Sequence, residues 1–192
     1  MEKERKLQII KASVKRFDKH GPNKTTLDEI ARDLRIGKAT IYGYFKSKEE
    51  LYFAALDWEG SLYLEDIKTI FGSEGMPIRE RFLNYFDLKE SIPLKYKLIQ
   101  DTLIQIVGEK AFENEHTFFK NLLSAEEEII RKELSNISSA GSEQEVMLNA
   151  SEIVMQSWGL FLGRKISASV NNQESIDTKN LLMKLISSYK LQ

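Results

Sequence analysis

The chain has no cysteine among its 192 residues, which excludes disulfides, thiolate metal sites and a cysteine nucleophile and suits a reducing cytoplasm. Only three prolines interrupt it, and strand-like alternation is scarce, so the pattern reads as helical almost throughout. No run of 18 apolar residues exists, so no membrane-spanning helix is expected. The charged opening, Met1-Glu2-Lys3-Glu4-Arg5-Lys6, leads into an amphipathic helix rather than a signal-peptide core. Enzyme chemistry has little to work with. His20 and His116 are the only histidines, and neither a Gly-x-Ser-x-Gly elbow nor a glycine-rich phosphate loop occurs. The Glu126-Glu127-Glu128 run spreads around a helix and does not converge on a metal. No internal repeat or low-complexity stretch appears. What remains is a globular all-α chain whose 42% hydrophobic content suffices for a core, with no expected cofactor, metal or catalytic group.

A net charge of −1 hides a sorting of charge along the chain. Residues 1–48 carry 13 Lys or Arg against 6 Asp or Glu, whereas the rest carry 15 against 23. A basic segment followed by an acidic remainder suits phosphate binding by the first part and exclusion of the second from a duplex.

The basic segment also has a motif. Thr26 and Glu29 are spaced as a capping box, so a helix starts near Leu27, and Leu27, Ile30, Ala31 and Leu34 give it one buried face. The pattern breaks at Arg35-Ile36-Gly37. Gly37 then serves as an N-cap without a side chain for a second, two-turn helix, Lys38 to Tyr44. Ser47 and Glu50 form another capping box, opening a long helix from Lys48. Helix, tight turn and short basic helix read as helix-turn-helix, in which the second helix enters the major groove. Lys38, Tyr42 and Tyr44 reach phosphates, Thr40 offers a hydroxyl, and Ala39 and Gly43 leave room for base edges. The bland alternative is an ordinary helical hairpin with a wet surface.

This stretch resembles the DNA-binding domain of the TetR family of bacterial transcriptional regulators. Thr25, Thr26, Ile30, Ala31, Lys38, Thr40, Tyr42, Tyr44, Phe45, Lys48, Glu49 and Leu51 match its signature, and Leu7, Ile10, Val14 and Phe17 supply its first helix ahead of His20-Gly21. The resemblance covers about the first 56 residues. Three departures stand out: Arg35 replaces the usual turn glycine, where a left-handed backbone would cost about 1 kcal/mol; Gly37 replaces a capping serine; Gly43 replaces a histidine. The resemblance implies DNA contacts by Thr25, Thr26, Arg35, Lys38, Ala39, Thr40, Tyr42, Gly43, Tyr44 and Lys48.

Beyond residue 47 the expected helices are about 48–71, 77–90, 93–108, 111–136, 143–170 and 175–190, broken at 72–77, at Ile92-Pro93, at 136–142 and at 171–173. Residues 1–47 form the reading head and 48–192 a helical domain for ligand binding and dimerisation, with helix 48–71 as connector. Phe82, Tyr85, Phe86, Phe112, Phe119, Trp158 and Phe161 are candidate walls for a small apolar ligand, with core as the bland alternative. Val154, Trp158, Gly159, Leu162, Gly163, Leu182, Leu185, Ile186 and Tyr189 are candidates for a homodimer surface, which the resemblance implies is built from the last two helices. The expected function is that of a homodimeric repressor released from a palindromic operator by a small effector. An activator, or a regulator of the same fold without an inducer, is the alternative.

Overall fold

A computed structural model of the protein describes residues 2–137 and 143–170. Eight helices appear among them and no strand: α1 (Glu2–His20), α2 (Leu27–Asp33), α3 (Lys38–Tyr44), α4 (Lys48–Phe71), α5 (Ile78–Lys95), α6 (Lys97–Val107), α7 (Glu113–Ile137) and α8 (Glu143–Val170). The expected all-α class is what the chain adopts. The helix expected at 175–190 lies outside the described residues.

The chain forms two compact units. The first comprises residues 1–63 and 94–116, the second residues 64–93 and 117–192.

In the first unit, α1 buries Ile9, Ser13, Val14 and Phe17 and stops at Gly21, whose φ of +77° lets its amide return to the Phe17 carbonyl at 2.7 Å. The capping box on α2 is complete. The Glu29 amide donates to Thr26 Oγ1, and the Thr26 amide donates to the Glu29 carboxylate at 2.9 Å. α2 ends in a Schellman turn: the Ile36 amide reaches the Ala31 carbonyl at 3.0 Å and that of Arg35 reaches Arg32 at 3.1 Å. Arg35 therefore holds the left-handed conformation, φ +54°, at the turn position where the resemblance implies glycine. α6 closes in the same way. Lys110 N bonds Gln105 O at 2.8 Å, Glu109 N bonds Ile106 O at 3.1 Å, and Glu109 sits at φ +55°.

Two expectations need correction. The box at Ser47 is half formed: Ser47 Oγ accepts from the Glu50 amide, but Glu50 returns to the Lys46 amide at 2.6 Å, one residue earlier than a box requires. The break expected at Ile92-Pro93 falls later. Pro93 lies inside α5, and the helix stops at Tyr96, whose φ of −134° and ψ of 61° leave the helical region. So near the end of α5, a proline removes one backbone bond without stopping the turn.

Where no side chain caps α6 from within, another helix does. Glu59 on α4 is 2% exposed, and its carboxylate accepts the Ile99 amide at 2.9 Å. Burial pushes this carboxyl up to about 8, against the pull of the Ile99 and Leu98 amides and with Asp18 and Asp101 adding to the rise.

Candidate nucleic-acid interface

α3 has one buried side. Ile41 is fully enclosed and Phe45, just past the helix, is 1% exposed. Lys38, Ala39, Thr40, Tyr42 and Gly43 all face outward, and Tyr44 is half-buried. Tyr42 is 47% exposed although nothing in the core needs it there. A side chain added at Gly43 would meet no atom within 4 Å, so the glycine answers to no internal contact and leaves the outer surface of α3 low.

Ion pairs set the pose of α3 and α2. Lys38 Nζ lies 2.8 Å from Asp28 Oδ1 at the start of α2 and 5.6 Å over the Tyr42 ring. Arg16 of α1 reaches Glu29 at 2.9 Å and Asp33 at 2.7 Å, clasping α2 at both ends. Lys48 Nζ donates to the Pro22 carbonyl at 2.9 Å, joining α4 to the turn before α2. These contacts tie the four helices together behind the exposed side of α3. Arg16 and Asp28 were not legible as part of this set, because their partners lie 17 and 10 residues away at no motif spacing.

The ten expected contact residues do not all reach that surface. Thr25 is corrected outright: it is 1% exposed and its hydroxyl is bonded to the Gly21 carbonyl at 2.9 Å, so it is a structural residue. Thr26 is exposed with its oxygen in the cap. Arg35 is exposed at the turn, while Lys48 is half-buried by its bond to Pro22.

The aromatic residues fall into two groups. Phe82, Tyr85, Phe86, Phe119, Trp158 and Phe161 are buried in the second unit. Phe112 belongs to the first unit and is 78% exposed. Among the six runs a buried polar cluster: Glu126, fully enclosed, accepts Tyr85 Oη at 2.5 Å and Trp158 Nε1 at 2.9 Å and pairs with Lys89. Lys89 Nζ stands 3.8 Å from the Trp158 ring centroid. Burial draws Lys89 down to about 8 while Glu126 holds it up. Ser157 completes the cluster, 2.9 Å from Tyr85 Oη.

Of the residues expected at a dimer surface, Val154 is fully buried and Trp158 is 5% exposed within their own unit, so both are core. Gly159 and Gly163 are exposed, with open space where a Cβ would stand. Met155, 63% exposed, lies near them, and Leu162 is half-buried. Leu182, Leu185, Ile186 and Tyr189 lie outside the described residues. Among the described residues no helix is long and apolar enough to cross a membrane.

Residues 9–55 match the family described as bacterial regulatory proteins, tetR family. Over 49 residues the chain is 45% identical to the uncharacterized HTH-type transcriptional regulator YhgD of Bacillus subtilis, a stretch that is 26% of each protein. The match spans about a quarter of the length of such curated relatives. Among solved structures, the reduced form of NemR from Escherichia coli has a TM-score of 0.68 at 16% identity, covering 97% of this chain and 96% of that one. A transcriptional regulator from Saccharomonospora viridis, solved in complex with choline, also scores 0.68 at 16% identity, over 96% of both chains. At these identities the structural likeness speaks for the fold alone.

Proposed function

We propose that this chain, which belongs to the tetR family of bacterial regulatory proteins, is a cytoplasmic, homodimeric transcriptional repressor that grips a palindromic operator through residues 25–48. One observation carries the reading: the outer side of α3 is kept bare by Ala39, Thr40 and Gly43 and carries Lys38 and Tyr42, while Ile41 and Phe45 anchor its inner side. A helix mounted this way fits a major groove, with small residues toward base edges and Lys38 and Tyr42 toward phosphates. Two such heads must stand one helical turn apart, about 34–36 Å, which a two-fold dimer achieves.

Release follows from linkage. A small molecule bound better by a state with wrongly spaced heads shifts the dimer off DNA, and equal affinity for both states would shift nothing. The reading places the ligand among the helices of the second unit, whose aromatic residues gather around Glu126 and Lys89, and a protein of this fold has been solved with choline. α4 contributes residues to both units and is the lever in this reading.

Selection of bound sequences from random duplexes, followed by fluorescence anisotropy, tests the assignment. Lys38→Ala and Tyr42→Phe should weaken binding to selected and scrambled duplexes alike, whereas Thr40→Ala should change preference at one or two base pairs by about 1–3 kcal/mol. Unchanged affinity and preference in all three variants would remove α3 from the interface.

A further inference from the structure

The first turn of α4, the Pro22-Asn23 turn and the link between α6 and α7 border an open cleft of about 590 Å³, all of it within the first unit. That volume is ordinary for a small-molecule site, about 300–1,000 Å³. Tyr52, Phe53 and Phe112 are its aromatic walls, and Asn23, Gln105 and Asn114 supply amides. Phe112 stands in solvent at 78% exposure, a position its own unit does not require. Four charged groups line the space, but they are not equally free. Glu115 is buried with its carboxylate on the Phe112 amide at 3.2 Å. Glu49 is exposed, and its own amide, the Ser47 hydroxyl and the Lys48 charge hold its carboxyl below the usual range. Both carboxylates are directed at backbone amides at helix starts. Of the two cations, Lys48 donates one N–H to the Pro22 carbonyl and feels the Glu49 charge, whereas exposed Lys110 has no ion-pair partner among the described residues.

The geometry points to a binding site for a small aromatic anion, its ring against Phe112 and Phe53 and its carboxylate or sulfonate on Lys48 and Lys110. This site is separate from the aromatic cluster of the second unit. Its occupant acts on the reading head. An anion that draws Lys48 away from Pro22 frees the turn three residues ahead of the buried Thr25 anchor and places negative charge beside a surface meant for phosphate. Anion and DNA then oppose each other, and by linkage each weakens the other to the same extent. The opposition rests on the DNA-binding reading above; the site itself does not.

Naphthalene-1-sulfonate is the probe and neutral naphthalene-1-methanol the control, both added to the full chain at constant sodium concentration because duplex binding responds to salt. In nitrogen–proton NMR spectra the sulfonate should shift the side-chain amides of Asn23, Gln105 and Asn114, and the alcohol should do so far more weakly. Lys110→Glu and Phe112→Ser change exposed positions, so both variants should stay folded and lose about tenfold in affinity for the sulfonate. Operator affinity, read by anisotropy, should fall several-fold with the sulfonate and not with the alcohol. Shifts confined to the second unit, equal binding of the alcohol, or unaltered affinity in both variants would each overturn the site. Shifts at the three amides with operator affinity unmoved at saturation would overturn the opposition. If the chain binds no duplex at all, the NMR arm still decides the site, so the two readings fail separately.

Discussion

Glu59 shows how far a single residue can depart from its ordinary behaviour. Its carboxyl is shifted up to about 8, against about 4.5 for the unfolded chain. The folded protein thus holds a proton that the unfolded chain releases, and stability falls as pH rises through that window. The steepest loss is about 1.4 kcal/mol per pH unit, the value for one proton. Glu59→Gln keeps an oxygen for the Ile99 amide and cannot ionise, so urea midpoints of the variant should be flatter between pH 5 and 8. Parallel pH profiles for the two proteins would show that Glu59 is ionised throughout. None of this was legible beforehand, because Glu59 and its amide partner are 40 residues apart. The Glu126–Lys89 pair was hidden for the same reason, at a separation of 37. Thr25 was hidden differently: it adjoins Thr26, whose cap is legible from its spacing to Glu29, and only the hydrogen bond of its hydroxyl to the Gly21 carbonyl shows that it is turned inward.

At the scale of elements, the local signals were strong wherever a motif was complete within a few residues. The α2 box, the bare Gly37 cap and the bounds of α4 were all legible, because each depends on neighbours within a turn. The end of α5 was not, since Ile92-Pro93 has the composition of a break although a proline this late in a helix removes only one bond. The Schellman turns of α2 and α6 carry a testable cost. Arg35 and Glu109 both hold a left-handed backbone without glycine, which strains an L residue by about 1 kcal/mol. Arg35→Gly should therefore raise the unfolding free energy by up to about 1 kcal/mol in urea titrations, partly offset by the freer unfolded chain. A clear loss of stability would mean that the guanidinium makes a contact worth more than the strain.

For the whole molecule, the sequence showed the helical class and the reading head but not the division into units. Residues 94–116 join 1–63 rather than their neighbours in sequence, a long-range choice that periodicity does not encode. The proposed dimer is tested on α8. Because a Cβ at Gly163 meets nothing within 4 Å, Gly163→Arg fits the protomer and has no reason to unfold it. If a partner packs closely there, the variant buries an unpaired charge and should sediment as a monomer with operator affinity reduced about a hundredfold or more, since one head replaces two. A folded, dimeric Gly163→Arg would move the interface elsewhere.

The pairing of Lys38 with Asp28 has a thermodynamic consequence for the proposed dimer on DNA. A lysine that arrives already neutralised displaces fewer cations from the duplex than its formal charge suggests, because the carboxylate stays beside it. The release of condensed ions, which sets how steeply affinity falls with salt, is thereby blunted. Asp28→Asn should bind more tightly at low salt and steepen the plot of log affinity against log salt by about one unit per head, close to two for the dimer. Equal slopes for variant and parent would mean that Lys38 leaves Asp28 on binding. The chain as built is then the less salt-sensitive version of its own reading head, holding its site more evenly as the ionic strength around it changes.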